Sequence, residues 1–370
     1  MLLWMDGFDT CGAHSTGNTG GDPAVATVLS SAGYVSAGDV RSNNDTRTGR
    51  GLCLMFTANS GNSHDANIRR AFEERGEVIV GFAVRFQPTN LDLLAQFMFD
   101  SRLGQVLPIL NVYANAQGGI SLTIGGSSGQ LLAASPPNTI YANVWHYIEV
   151  RYRPRRVNGQ VVVRVDGAVV ISVTGVRTTR MDVPEVVNML RIGNYSEDFF
   201  NANSGSSGLQ WVDDLYVCDT LGTAFNDFLG DVVVHAVMPA QDAGPNDMSQ
   251  FGGGLQHHTA VNEIPPDGDV GYLYSNNVGD REMFVVGDIP ANITDVLAVS
   301  VHARVKKDAA GAGGLKLLAQ YGADVAESGY RAASNQYATH SAIFELAPDL
   351  GAWTRFKAEN LRFGFEVAGV

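Results

Sequence analysis

Between Trp145 and Val173 the chain spells out three strands and the turns that join them. Trp145 to Tyr152 runs into Asn158–Gly159, and Val161, Val163 and Val165 run out. Asp166–Gly167 then turns the chain again, and Val169, Ile171 and Val173 follow. Side chains of a strand alternate between its faces, so each set of valines lies on one side and needs a second layer to cover it. Asn-Gly and Asp-Gly between alternating runs are hairpin signals, because the central residues of a type I′ turn need positive φ. This region is antiparallel sheet.

The same pattern recurs along the first half. Val78, Val80, Phe82, Val84 and Phe86 share one face, with Ile79, Gly81, Ala83 and Arg85 on the other. Leu110, Val112 and Ala114 pair across Gln117–Gly118–Gly119 with Ile120, Leu122 and Ile124. Further strands are expected at Met1–Asp9, Gly51–Phe56, Leu93–Phe99, Met189–Tyr195 and Trp211–Val217. His64–Arg75 fits a short helix or a strand at Ala66–Phe72, and its neighbours favour the strand. Thr10–Gly51 is polar and rich in Gly and Ser, broken by an apolar piece at Ala24–Leu29. About ten strands with no long helix bury one face each as an antiparallel sandwich. The 42 glycines against 13 prolines suit many turns between short strands.

The pattern lapses once. Trp211–Val217 is a strand, Cys218–Phe228 a connector without periodicity, and Leu229–Val237 reads as the start of a new strand. A chain of 370 residues is long enough for two cores. The expected domains are therefore 1–225, a sandwich, and 226–370, a smaller antiparallel β-domain. In the second, Leu297, Val299, Val301, Ala303 and Val305 alternate. The loop Lys307–Gly314 leads into Leu315, Leu317, Ala319 and Tyr321. Ala342, Phe344 and Leu346, then Phe363, Phe365 and Val367, supply the rest.

A formal charge of −13 repels phosphate backbones, so no nucleic-acid partner is expected. No apolar run reaches the ~18 residues of a membrane span. Asp6 cuts short the apolar start at Met1–Met5, so no signal peptide is expected. Cys11, Cys53 and Cys218 have no metal spacing and read as buried free thiols of a protein folded in a reducing cytoplasm.

The stretch WHYIEVRYRPRRVNGQVVVRVDGAVVISVTG, Trp145–Gly175, resembles the central hairpins of concanavalin-A-like, laminin-G-type sandwiches, with W-x-x-x-E-V followed by V-x-V-D-G. The strand WVDDLYV is similar to the last strand of that fold, and the resemblance covers Met1 to about Thr220. A narrower resemblance spans residues 205–370. DDLYVCDTLGTAFNDFLGDVVVHAVMPAQDAG, AVNEIPPDGDVGYLYSNNVGDREMF and AIFELAPDLGAWTRFKAENLRFGFEV resemble structural proteins of tailed bacteriophages that carry this sandwich and a second β-domain. The resemblance implies a component of the virion head surface or tail, and it brings no catalytic residues.

Sandwiches of this type include glycoside hydrolases, which need two carboxylates roughly 5–9.5 Å apart. Glu197–Asp198 and Asp213–Asp214 are adjacent, and neighbours on a strand point to opposite faces, so no catalytic residues are assigned. Asp213 and Asp214 also invite a calcium reading; the alternative has one Asp facing solvent and the other bonded to a loop. Asp267–Gly268–Asp269 lacks EF-hand spacing and reads as a turn. His257–His258, with no third ligand nearby, reads as a solvated loop, and His14 beside Ser15 makes no triad. Gly125–Gly126 and Gly252–Gly253–Gly254 fit no phosphate-loop pattern. Trp4, Trp145, Trp211 and Trp353 could stack sugars, but each stands in or beside a strand pattern and is assigned to the core.

The expectation is a non-enzymatic phage structural protein without a cofactor, folded in the bacterial host cytoplasm and acting by assembly with other capsid or tail proteins. Self-association is expected through the second domain, as a trimer, because an apolar end strand at Phe363–Val370 needs cover; the alternative is that its own domain covers it. The alternative is a receptor- or carbohydrate-binding tail protein that takes a host-surface glycan on the sandwich loops.

Overall fold

The computed structural model describes residues 1–12, 21–57, 66–87, 91–115, 117–126, 129–194, 209–308 and 313–369. The chain forms two compact units, Met1–His235 and Ala236–Val370.

In the first unit the described residues form two antiparallel sheets. The eight-stranded sheet runs Ala168–Val176, Gly159–Val165, His146–Arg153, Val78–Phe86, Leu209–Asp219, Cys53–Thr57 and Asp39–Asn43, with Leu2–Asp6 also paired to Leu209–Asp219. The seven-stranded sheet runs Gln130–Ala134, Ile120–Ile124, Val106–Asn115, Leu91–Asp100, Val187–Asn194, Ala66–Arg75 and Tyr34–Ala37. This is the concanavalin-A-like sandwich that the hairpin motifs imply. One core fills the space between the sheets. Val80, Phe82, Val84, Ile148, Val150 and Val163 come from the first sheet and Phe97, Leu110, Val112, Leu122, Leu190 and Ile192 from the second. The rings of Phe97 and Tyr152 meet across it at 5.1 Å. Each such side chain contributes roughly 1.5–3 kcal/mol by leaving water.

Local chemistry accounts for most elements. Leu110, Val112 and Ala114 pair with Ile124, Leu122 and Ile120, the register read from the alternation. Asp166 and Gly167 have φ of 49° and 80°, and Val165 pairs with Ala168, as a type I′ turn requires. Asn158–Gly159 is different. Arg153 pairs with Gln160, so the connection is the longer stretch 154–159, which opens with Pro154, a residue that has no N–H for the ladder. The apolar piece near Ala24 is a helix, Pro23–Ser31, capped by the Asp22 side chain on the Ala24 amide and burying Val25, Val28 and Leu29. Asp followed by Pro is a helix-start signal, outweighed in the reading above by the polar surroundings.

The expected boundary at 225/226 and the expected strand at Leu229–Val237 both give way. Residues 226–235 form no ladder and lie on the sandwich, across the outer face of the eight-stranded sheet. The Gly230 amide donates to Glu149 at 2.8 Å, the Leu229 amide to the Tyr216 hydroxyl at 3.2 Å and the Val234 amide to Asp214 at 2.8 Å. Arg164 sits over the Phe228 ring at 4.0 Å, and His235 meets Asp9 at 3.4 Å. Buried acids of the sheet take the place of a neighbouring strand as partners, so the covering segment belongs to the first unit.

The second unit holds a six-stranded antiparallel sheet. Its order is Pro239–Asn246, Arg281–Val286, Arg362–Ala368, Gly314–Tyr321 and Asp324–Glu327, with Arg331–Ala332 beside Gly314–Tyr321. Two ribbons accompany it, Val299–Val305 with Ala338–Phe344 and Ser249–Phe251 with Tyr272–Tyr274. Val301, Leu315, Leu317, Ala342, Phe344 and Trp353 form its core. The C-terminal strand corrects a premise. Arg362–Ala368 is paired on both sides inside the sheet, so its own unit covers it and it supplies no reason for a trimer. No helix among the described residues is long and apolar enough to cross a membrane.

Candidate functional site

On the seven-stranded sheet the strands that feed the core also carry polar side chains between their core residues. Ala95 and Phe97, Leu110 and Val112, and Leu190 and Ile192 lie in the core. Gln96, Asn111 and Arg191 therefore emerge on the opposite face. Register aligns them. Arg69 pairs with Arg191, Arg191 with Gln96, Gln96 with Asn111 and Asn111 with Thr123, one row across five strands.

From Arg191 to Thr123 the row is hydrogen-bonded. Arg191 Nη1 donates to Gln96 Oε1 at 2.7 Å, and Gln96 Nε2 donates to Asn111 Oδ1 at 2.8 Å. Asn111 Nδ2 reaches the Gly125 carbonyl at 2.7 Å, the Tyr113 hydroxyl at 3.0 Å and Thr123 Oγ1 at 3.2 Å. Gln96 and Asn111 are 1% and 0% exposed and Arg191 5%, while Arg69 and Thr123 at the ends are half-buried. These bonds fix which end of each amide faces which neighbour. At one end Arg69 and Arg191 are cross-strand partners, with Arg191 turned toward Gln96. Lone polar residues within apolar strands, as in LLAQFMF and LPILNVYA, were the sequence signal. Only the register shows that they meet.

The outer face of the eight-stranded sheet carries a second set of polar and aromatic groups. Asp213 and Asp214 are 4% and 2% exposed, so neither faces solvent, contrary to the alternative drawn above. Asp214 has φ 53° at an irregularity in the ladder, which breaks the strand alternation. Arg47 donates to Asp214 Oδ2 from Nε at 3.0 Å and to the Val232 carbonyl at 2.6 Å, and it also ion-pairs with Asp231. The carboxylate that a calcium ion would use is thus held by Arg47 and by the Val234 amide. Among the described residues no three His, Cys, Asp or Glu side chains converge as a metal site. Burial, then the neighbouring Asp214, pushes the Asp213 carboxyl up to about 9. Burial raises Asp214 to about 6, with Arg47 pulling it back down.

Trp4 and Trp353 pack in the cores as expected. Trp211, although buried, alternates with the core residue Val212 and lies with Trp145 on the outer face, so the core assignment fails for these two. Trp145 is half-buried, and the Arg85 guanidinium sits 5.4 Å from its ring and 4.2 Å from that of Trp211. The three cysteines are free and buried, and burial raises each thiol above its ordinary value.

His257–His258 is not a solvated loop. The two residues lie in a short 3₁₀ turn, with His257 Nδ1 on buried Glu282 at 2.9 Å and His258 Nδ1 on Asp242 at 3.0 Å. Asp267–Gly268–Asp269 is a turn with Gly268 at φ 73°, and Asp269 accepts a bond from the Tyr337 hydroxyl at 2.7 Å. His14, Ser15, Glu197 and Asp198 lie outside the described residues.

No protein-family model matches the chain, and no curated protein matches its sequence. Solved structures do. An endo-β-1,4-glucuronan lyase from the fungus Trichoderma reesei is 17% identical, covering 59% of this chain and 95% of its own, with a TM-score of 0.41. An alginate lyase from Aplysia kurodai is 12% identical over 59% and 99%, with a TM-score of 0.44. The cellulose-induced protein Cip1 is 11% identical over 48% and 84%, with a TM-score of 0.36. All three scores lie under 0.5, and the activities in those names belong to those proteins.

Proposed function

We propose that this chain is a non-enzymatic glycan-binding protein whose sandwich takes an acidic oligosaccharide at the guanidinium end of the polar row. The observation that carries this is the row itself, in which the Arg191 guanidinium, two amides and the hydroxyls of Tyr113 and Thr123 are hydrogen-bonded in line across four strands, with Arg69 on the next strand. Planar guanidinium groups suit a carboxylate, and the amides and hydroxyls suit the sugar's own hydroxyls. The bonded row described above holds no carboxylate, so hydrolysis by a pair of acids is not available within it.

The setting proposed with it is the surface of a tailed-phage particle, which rests on the resemblance of residues 205–370. A role for the second unit in particle attachment is supported by its bare apolar residues. Leu255, Val270 and Val278 are all strongly exposed, side chains that a partner surface could cover.

The test is titration of the full chain with oligouronates and sialylated oligosaccharides against neutral counterparts. Binding is expected to prefer the acidic set. Arg191→Gln and Arg69→Gln should each lower affinity by about tenfold or more, the scale of one charge-assisted hydrogen bond. Absence of binding by every acidic oligosaccharide, or unchanged acidic binding by both variants, would overturn the reading. Release of new reducing ends or unsaturated products would overturn its non-enzymatic part.

A further inference from the structure

A cleft of about 470 Å³ opens on the outer face of the eight-stranded sheet, lined by Arg47, Thr48, Trp145, Tyr147, Asp166 and Asp231, with Val233 at its side. This is the opposite face of the sandwich from the polar row. Tyr147 alternates with the core residue Ile148 and so points outward, and Trp145, two positions earlier, shares its face. Three separate pieces of chain complete the walls: the turn that carries Arg47 and Thr48, the tight turn at Asp166–Gly167, and the covering segment with Asp231 and Val233.

Each wall is fixed before any ligand arrives. The Tyr141 amide donates to His146 Nε2 at 2.9 Å, so His146 Nδ1 carries the proton and donates to Asp166 Oδ2 at 2.7 Å. The other oxygen of Asp166 accepts the Tyr147 amide at 2.8 Å. Arg47 lies 5.0 Å from the centre of the Tyr147 ring and is tied to Asp214 and Asp231. Arg85 braces the indole of Trp145 against Trp211. The side chains of Asp166 and Asp231 nevertheless remain 52% and 56% exposed, and Thr48 is exposed beside them.

We infer that this cleft is a second saccharide site, one for a neutral sugar. A half-buried indole offers a flat face to the C–H side of a pyranose ring. Two fixed, accessible carboxylates accept hydrogen bonds from its hydroxyls, and Thr48 can donate or accept. The one cation among the lining residues, Arg47, is ion-paired with Asp214 and Asp231, and Arg85 behind Trp145 is paired with Asp45. The exposed carboxylates therefore make the cleft disfavour a carboxylated or sulfated sugar. Its volume falls within the ~300–1,000 Å³ of small-molecule sites. The site extends the glycan-binding reading but shares no residue with the polar row, so the two stand or fall by different variants.

The experiment titrates the full chain with neutral oligomers of glucose, galactose, mannose and N-acetylglucosamine, followed by intrinsic fluorescence and by saturation-transfer NMR. Trp4 and Trp353 are buried in the two cores, so a ligand-dependent emission change should come from Trp145 and, through Arg85, from Trp211 beside it. At least one neutral oligomer should bind. Trp145→Ala should weaken it by tenfold or more, and so should Thr48→Trp, which fills the cleft from an exposed turn and should leave the melting temperature unchanged. Both variants should keep their response to acidic oligosaccharides, while Arg191→Gln should leave neutral binding intact. Absence of binding by every neutral oligomer, or unchanged binding in Thr48→Trp, would overturn the inference without touching the acidic site. Loss of acidic binding alone in Arg191→Gln would support both.

Discussion

Asp213→Asn should make this protein more stable at neutral pH, and more so the higher the pH. Asp213 is buried beside a second carboxyl, and its proton stays on up to about pH 9. In the unfolded chain the same proton leaves near 3.8. Between those values the folded chain holds a proton that the unfolded chain has lost. Raising the pH across that window therefore favours unfolding, at about 1.4 kcal/mol per pH unit. At pH 7 the accumulated loss is on the order of 2–4 kcal/mol. Asparagine is neutral at every pH and removes the loss. Its side-chain oxygen can still accept the Asp214 amide, as Asp213 Oδ1 does at 2.8 Å. Urea unfolding followed by tryptophan fluorescence, at pH 4.5 and pH 8, reads the effect directly. The variant should match the natural chain within about 1 kcal/mol at pH 4.5 and exceed it by a few kcal/mol at pH 8. Thermal midpoints at pH 8 should rise by roughly 5–10 °C for a unit of this size. A gain of the same size at both pH values would refute the linkage. A loss at pH 8 would show that the ionised carboxylate is the native form.

Gly167→Val should lower stability by about 1–3 kcal/mol through backbone strain, because a Cβ there meets nothing within 4 Å while φ is 80°. Gly167→Asn should recover most of that in the same melts. Gly81→Ala should cost about 1–3 kcal/mol for another reason: its Cβ would run into the ring of Tyr216, which is pinned to Glu149 at 2.6 Å. A truncation after residue 225 should melt well below one after residue 235, since it strips Gly230 and Val234 from Glu149 and Asp214. Each such bond to a charged group is worth about 1.5–3 kcal/mol. Equal melting of the two fragments would mean that the covering segment adds nothing to the sandwich.

Residues 229–237 show why part of the fold escaped the sequence. LGDVVVHAV has the β-branched content of a strand and is extended enough to read as one. Propensity measures fitness for an extended backbone, not the identity of its hydrogen-bond partner. Here the partners are Glu149, Asp214 and the Tyr216 hydroxyl, groups whose burial no local pattern reveals. The Asp213–Asp214 pair escaped for a related reason. Alternation assigns opposite faces to neighbours, and the left-handed Asp214 inside the strand removes that rule. The apolar end strand was read correctly as a strand, yet its place between two neighbours followed from sheet order alone.

The sequence by itself determined what is local. Alternation set the faces of Val78–Phe86, Asp166–Gly167 set a tight turn, and the pairing of Leu110–Ala114 with Ile120–Ile124 followed because a short loop leaves few registers. Tertiary structure alone decided the candidate sites. Arg191 and Gln96 are 95 residues apart, and their contact depends on Val187–Asn194 entering the sheet beside Leu91–Asp100 in one register. A slip of Val187–Asn194 by one residue would turn Arg191 toward the core and Ile192 out of it. Burial of the apolar set enforces that register, and the polar row is carried into line by the same constraint. The cleft on the other sheet likewise exists only because Asp231 is held across the sheet by an arginine 184 residues earlier in the chain.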